Sequence, residues 1–169
     1  MEEKSEFIPM QVPYYKQVDK NACGPAALQM VFEYFSKHVG QRTLKKQIKT
    51  TAEEGTERNN LTKTATENGF YCYVNNESNL AEVEKFVLYG LPVIVSYIEP
   101  SNDEGHYAVV TAFTSKQLLF NDPWNGEYFS VDKDEFVARW HGEFDKSKHW
   151  MMVISTESFQ LGRQYAPKE

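Results

Sequence analysis

The 169-residue chain predicts an α+β domain: helices in the first half, an antiparallel sheet in the second. Three observations carry this. Apolar residues recur at helical spacing through Ala26, Ala27, Met30, Val31, Tyr34 and Phe35. After Gly90 the pattern changes to short β-branched and aromatic runs separated by turn residues. The helical pieces precede most of the strands and do not alternate with them, which favours an antiparallel sheet over βαβ units.

Taken in order, residues 7–17 alternate apolar and polar around Pro9 and Pro13 and read as an extended arm lying on the domain, at an edge. A helix is expected from Cys23 to about His38, with Pro25 in its first turn and Gly40 ending it. Thr43 is expected to cap a short helix running to Lys49. Residues 51–60 are polar, contain Gly55 and read as the most flexible loop. Leu61 to Asn68 forms a third helix closed by Gly69, and Phe70 to Val74 a strand. Asn79 caps a fourth helix, Leu80 to Tyr89, stopped by Gly90. Five strands are expected at Pro92–Ile98, His106–Phe113, Gln117–Asn121, Glu127–Ser130 and Trp150–Ile154. Asp132 with Glu135 three residues on predicts a capping box for a last helix through Trp140. The polar tail from about residue 158 is expected to be loose.

The length suits a single domain spanning residues 1–169 with a sizeable core, and 41% hydrophobic content predicts folding rather than disorder. A net charge of −6 without a clustered basic face argues against a nucleic-acid partner. The polar N-terminus lacks the apolar run of a signal peptide. The longest apolar stretch, residues 87–98, is interrupted by Gly90 and Pro92 and is too short to span a bilayer. A cytoplasmic protein is the resulting expectation. Two cysteines, Cys23 and Cys72, cannot make a disulfide framework or a zinc site, and Cys72 reads as an inert, half-buried sheet residue.

Cys23 stands where a helix start favours an anion, which for a cysteine means the thiolate. A nucleophilic cysteine needs a histidine to manage its proton, a group to orient that histidine, and donors for the oxyanion. His106 opens an apolar strand after a polar loop, and Asp122 ends the next strand, held extended by Pro123. If the two strands pair through the turn at Ser115 and Lys116, both ends share one rim and His106 can meet Asp122. Gln17, six residues before Cys23, can offer its amide beside the Cys23 N–H. Each of these residues also has a plainer role open to it: a packed helix start, a strand-end histidine, a turn-initiating aspartate.

The set Gln17, Cys23-Gly-Pro-Ala-Ala-Leu-Gln-Met, Gly105-His-Tyr-Ala-Val-Val110 and Asn121-Asp-Pro-Trp-Asn-Gly126 resembles the C39-like branch of the papain-like cysteine peptidases. The resemblance runs from about Val12 to Ile154 and includes the acidic-aromatic segment Asp134–Trp140. It implies the papain-like fold, with the nucleophile at a helix start packed on a C-terminal antiparallel sheet. It implies Cys23 as nucleophile, His106 as base and acid, Asp122 as orienter and Gln17 as oxyanion donor. Asn121 is the alternative orienter, and Asp122 is preferred because it occupies the family's Asp-Pro position. The expected activity is cleavage of a peptide or amide bond through an acyl-enzyme, with no cofactor or metal. An acyltransferase or transpeptidase using the same thioester, or a catalytically silent peptide-binding module, are the alternatives. The transporter-linked members of the family carry membrane spans and remove double-glycine leaders; this chain shows no span, so its substrate can differ.

Overall fold

The computed structural model describes residues 10–143 and 148–168, and the first three residues of the expected arm fall outside that range. Its helices are α1 (Cys23–Tyr34), α2 (Gln41–Ile48), α3 (Arg58–Glu67), α4 (Leu80–Leu88) and α5 (Lys133–Arg139). Its strands are β1 (Tyr71–Asn75), β2 (Val93–Ile98), β3 (Gly105–Phe113), β4 (Gln117–Asp122), β5 (Gly126–Asp132) and β6 (Met151–Ser155). The strands form one six-stranded sheet in the order β1-β6-β2-β3-β4-β5, and every pairing is antiparallel. The domain is α+β.

Strand alternation splits the core into two layers. Tyr107 and Val109 of β3, with Met152 and Ile154 of β6, face the helices α1 to α3, where Leu28, Met30, Phe32, Leu44 and Leu61 are fully buried. Ala108 and Val110, with Met151 and Val153, face α4 and α5 and pack with Val83, Phe86, Phe136 and Trp140. The sheet is therefore covered on both faces, not only by the N-terminal helices.

Several element ends differ from expectation. Helix α1 stops at Tyr34, well before Gly40, because Ser36 takes a left-handed conformation (φ 62°). Its N–H reaches Glu33 O at 2.9 Å and that of Lys37 reaches Phe32 O at 2.8 Å, the closing bonds of a Schellman motif. Gly40, freed from that role, becomes the N-cap of α2, so Thr43 lies inside the helix and caps nothing. Helix α3 begins at Arg58, three residues before the expected start. The Asp132 carboxylate accepts from Gln117 Nε2 (3.0 Å) and makes no capping bond to α5. Asn79 does cap α4, accepting from the Glu82 N–H at 2.9 Å.

Two segments expected to be loose are pinned. Thr51 and Gly55 exchange backbone hydrogen bonds (3.1 and 2.9 Å), closing the 51–55 turn. In the tail, Tyr165 exchanges bonds with Cys72 at the outer edge of β1 (2.9 and 2.8 Å), and Lys168 N–H reaches Thr66 O. Cys72 is fully buried rather than half buried, and its thiol is pushed up to about 12 by that burial. The arm runs beside the end of β4 without joining the sheet. Val12 enters the core, and its carbonyl accepts from Asn121 Nδ2 at 2.9 Å.

Candidate active site

Cys23 is the first residue of α1, and the local sequence leaves this helix end open. Ala22 occupies the N-cap and no side chain caps the turn. The backbone N–H groups and the positive end of the helix dipole are thereby kept for an anion at Cys23. The turn leading in is shaped by Asp19. Its Oδ1 accepts the Asn21 N–H (2.9 Å), its Oδ2 pairs with Lys45 (2.5 Å), and its carbonyl accepts the Ala22 N–H (3.2 Å). The residue after Cys23 has to be small. A Cβ on Gly24 would lie 2.6–2.7 Å from the Thr56 side chain. Thr56 is itself held by Thr50 Oγ1 (2.7 Å) and by the Tyr107 hydroxyl on its carbonyl (2.8 Å).

The pairing of β3 with β4 brings the start of one strand and the end of the other to a common rim. There His106 Nε2 lies 2.7 Å from Asp122 Oδ1. Both side chains are buried, His106 with 7% and Asp122 with 0% exposure. The Cys23 side chain lines the same hollow as His106 and is among the groups that favour the charged ring. Since Nε2 faces Asp122, Nδ1 is the ring nitrogen left for Cys23. Burial works against a charged His106, but the bond to Asp122 and the charges of Asp122 and Cys23 win, raising its pKa to about 10.

Asp122 has a full set of donors. Its Oδ1 also accepts the N–H groups of Trp124 and Asn125, both at 2.9 Å. Its Oδ2 accepts the Tyr97 hydroxyl at 2.5 Å, and its carbonyl accepts the Tyr14 hydroxyl at 2.8 Å. Burial alone would raise the Asp122 pKa; His106, the Asn125 N–H and the Tyr97 hydroxyl together hold it below the ordinary carboxylate value. Tyr97 sits directly opposite His106 in the β2–β3 register and stacks on Phe120 (5.3 Å between ring centroids). Burial and the Asp122 charge push its hydroxyl pKa up, so it stays protonated as a donor.

Gln17 comes to the same place from the arm. It lines a hollow of about 70 Å³ with Cys23, His106, Glu99, Gly105 and Trp124. Its Nε2 donates to Asp19 O at 2.7 Å, which leaves one amide hydrogen uncommitted by that bond. The neighbours of Gln17 are braced by Gln41, a buried residue that sequence reading passed over. Gln41 Nε2 donates to Lys16 O (3.0 Å) and its Oε1 accepts the Val18 N–H (2.7 Å). Asn121 is elsewhere: its amide serves the Val12 carbonyl, on the arm side of β4.

Four sequence-selected residues, Gln17, Cys23, His106 and Asp122, thus meet in one hollow or at its wall. Tyr97, Tyr14 and Gln41 had no sequence signal, since their partners are far along the chain. Glu99 had a faint one, a carboxylate at a strand end before a Pro-Ser-Asn turn. A larger cleft of about 460 Å³ opens beside β1, between residues 74–77 and 163–165. It holds neither Cys23 nor His106, both of which line the smaller hollow. Among the described residues no group of His, Cys, Asp and Glu side chains is placed to hold a metal.

The Peptidase_C39 like family matches residues 9–146, a span that contains all four residues. The chain belongs to that family. It is 30% identical over 129 residues to the pediocin PA-1 transport/processing ATP-binding protein PedD of Pediococcus acidilactici, covering 75% of this chain. The chain spans only 17% of that relative's length. Among solved structures, a C39-like peptidase from Bacillus anthracis superposes with a TM-score of 0.76 at 16% identity, covering 91% of this chain and all of the other. A double glycine motif protease from an AMS/PCAT transporter, in complex with its leader peptide, superposes with a TM-score of 0.67 at 22% identity, covering 86% and 92%. These two likenesses share the papain-like fold with the present chain. No helix among the described residues is long and apolar enough to cross a membrane.

Proposed function

We propose that this domain hydrolyses a peptide bond by a Cys23–His106–Asp122 triad through an acyl-enzyme. The observation that carries the reading is the geometry of His106: one ring nitrogen sits 2.7 Å from a buried carboxylate, and the ring shares a hollow with the side chain of Cys23. That arrangement fixes the imidazole plane and favours a protonated ring, which stabilises a thiolate at Cys23.

In the forward step His106 already holds the proton as an imidazolium beside the Cys23 thiolate, and Sγ attacks the scissile carbonyl. The oxyanion is met by the Cys23 N–H at the uncapped helix start and by the free amide hydrogen of Gln17. His106 then gives its proton to the leaving amine. Water enters, passes a proton to His106, and releases the acid from the thioester. Asp122 stays ionised throughout, holding the imidazole and stabilising its charged form. One solved relative is a double glycine motif protease in complex with the leader peptide, and another relative is a transport/processing protein. A peptide is accordingly the proposed substrate class.

The test is a mass-spectrometric screen of peptide pools with the wild-type chain and Cys23→Ala side by side. Cleavage confined to the wild type, with a transient adduct on Cys23, supports hydrolysis. An amide product formed only when amine acceptors are added would replace hydrolysis by acyl transfer. Peptide retention without cleavage by either protein would replace catalysis by binding.

A further inference from the structure

One residue past the end of β2 lies a second buried carboxylate that the proposed triad does not use. Glu99 is 2% exposed. Burial alone would raise its pKa, but the Ser101 hydroxyl and N–H, the Asn125 amide and the Asn102 N–H hold it below the ordinary glutamate value. Its Oε2 accepts the Ser101 N–H (2.7 Å), the Ser101 hydroxyl (2.5 Å) and Asn125 Nδ2 (3.3 Å). Its Oε1 accepts the Asn102 N–H (2.7 Å).

Asn125 joins this cluster to the triad. Its backbone N–H is one of the two turn donors on Asp122 Oδ1. Its side chain turns the other way: Nδ2 donates to Glu99, and Oδ1 lies 2.6 Å from Ser101 Oγ, where it shares with Glu99 the one hydroxyl proton. One asparagine therefore lies between two buried carboxylates, serving one with its backbone and the other with its side chain. The segments so joined, the β2–β3 loop and the β4–β5 turn, both border the hollow: Glu99, Asn102 and Glu104 from the first, Trp124 from the second.

We propose that Glu99 is a positioning residue. By locking the β2–β3 loop to the β4–β5 turn through Asn125, it holds the Trp124 and Asn125 N–H groups on Asp122 and the Trp124 ring in the wall of the hollow. Glu99 touches no reacting atom; it acts through Asn125 on Asp122, and through Asp122 on His106. A buried carboxylate whose acceptors are all engaged is a rigid anchor, because each donor that swings away leaves charge unsatisfied. The consequence for catalysis rests on the function proposed above. The mechanical link does not, and it can be read without a substrate.

The experiment compares Glu99→Gln, Asn125→Ala and Ser101→Ala with wild type. The readouts are amide exchange at Trp124 and Asn125 and the NMR titration of the His106 imidazole. Asn125→Ala keeps the Glu99 charge and breaks the link, and Ser101→Ala keeps the charge and removes part of it, which separates positioning from simple electrostatics. Amide exchange at the two turn residues is expected to speed up by roughly tenfold or more in Glu99→Gln and Asn125→Ala, with protection of β3 and β4 core amides retained. The His106 titration should shift downward in the same variants. A folded Asn125→Ala and Glu99→Gln with wild-type exchange and wild-type His106 titration overturn the proposal and leave Glu99 a loop anchor. Should Glu99→Gln fail to fold, Asn125→Ala, altered at a half-buried position, decides by the same readouts. Failure of the link leaves the peptidase reading standing, and absence of peptide cleavage leaves the link standing.

Discussion

His106 and Asp122, sixteen residues apart, meet at 2.7 Å across the ends of two neighbouring strands, and neither is open to solvent. The contact follows from strand pairing alone: β3 and β4 are joined by a tight turn, so the start of one lies beside the end of the other. Asp122→Asn keeps the shape but removes the charge and turns an amide toward donors. Activity is expected to fall by about 10²–10⁴-fold. Stability should fall by roughly 1–3 kcal/mol, because buried donors lose their acceptor. Peptide turnover and denaturant midpoints check the two parts separately.

Tyr97→Phe removes only the hydroxyl on Asp122 Oδ2. A hydrogen bond to a charged group contributes about 1.5–3 kcal/mol, and a loss of that size is expected in urea unfolding. The Asp122 pKa should rise, since one of the donors that hold it down is gone.

Both members of the pair make stability depend on pH, in opposite directions. His106 is raised in the folded protein from 6.5 to about 10. Its contribution is fully present below 6.5 and is lost as pH climbs through about 10. Asp122 is lowered from 3.8, so its contribution is present above that value and is lost as pH falls through its lower folded pKa. Urea midpoints across the pH range should form a plateau between these limits. In Cys23→Ala the alkaline limb should move to lower pH, because the Cys23 contacts are among the causes that raise His106.

Gly24→Ala drives a methyl group into Thr56 at 2.6–2.7 Å. Overpacking of this kind costs about 1–3 kcal/mol. The Thr56 loop and the start of α1 must separate, so Cys23 should shift and turnover should drop. Combining it with Thr56→Gly should restore most of both, which a thermal melt and a turnover assay would show.

Most of this fold could be read in the chain. Periodicity found all five helices and six strands, and the turn at Ser115 and Lys116 was enough to predict that His106 could meet Asp122. What it missed has physical causes. Ser36 ends α1 in a conformation usually left to glycine, so Gly40 drew the prediction past the true end. The tail looked loose because its partners, the Cys72 backbone and the Thr66 carbonyl, are some ninety or more residues away. Tyr97 and Gln41 were invisible as site residues for the same reason. A tyrosine in a strand and a glutamine in a helix are ordinary until packing sets them beside Asp122 and the arm. Cys23 and His106 stood out because their surroundings, a helix start and a strand start, are local.

The most direct measurement is the alkylation rate of Cys23 against pH, read by peptide mass spectrometry, in wild type and His106→Ala. Cys72, fully buried and with its thiol pushed up to about 12, serves as the internal control. The proposed mechanism predicts that at neutral pH Cys23 reacts faster in wild type than in His106→Ala by roughly tenfold or more, with Cys72 unreactive in both. Equal rates for Cys23 in the two proteins would contradict a nucleophile that depends on His106.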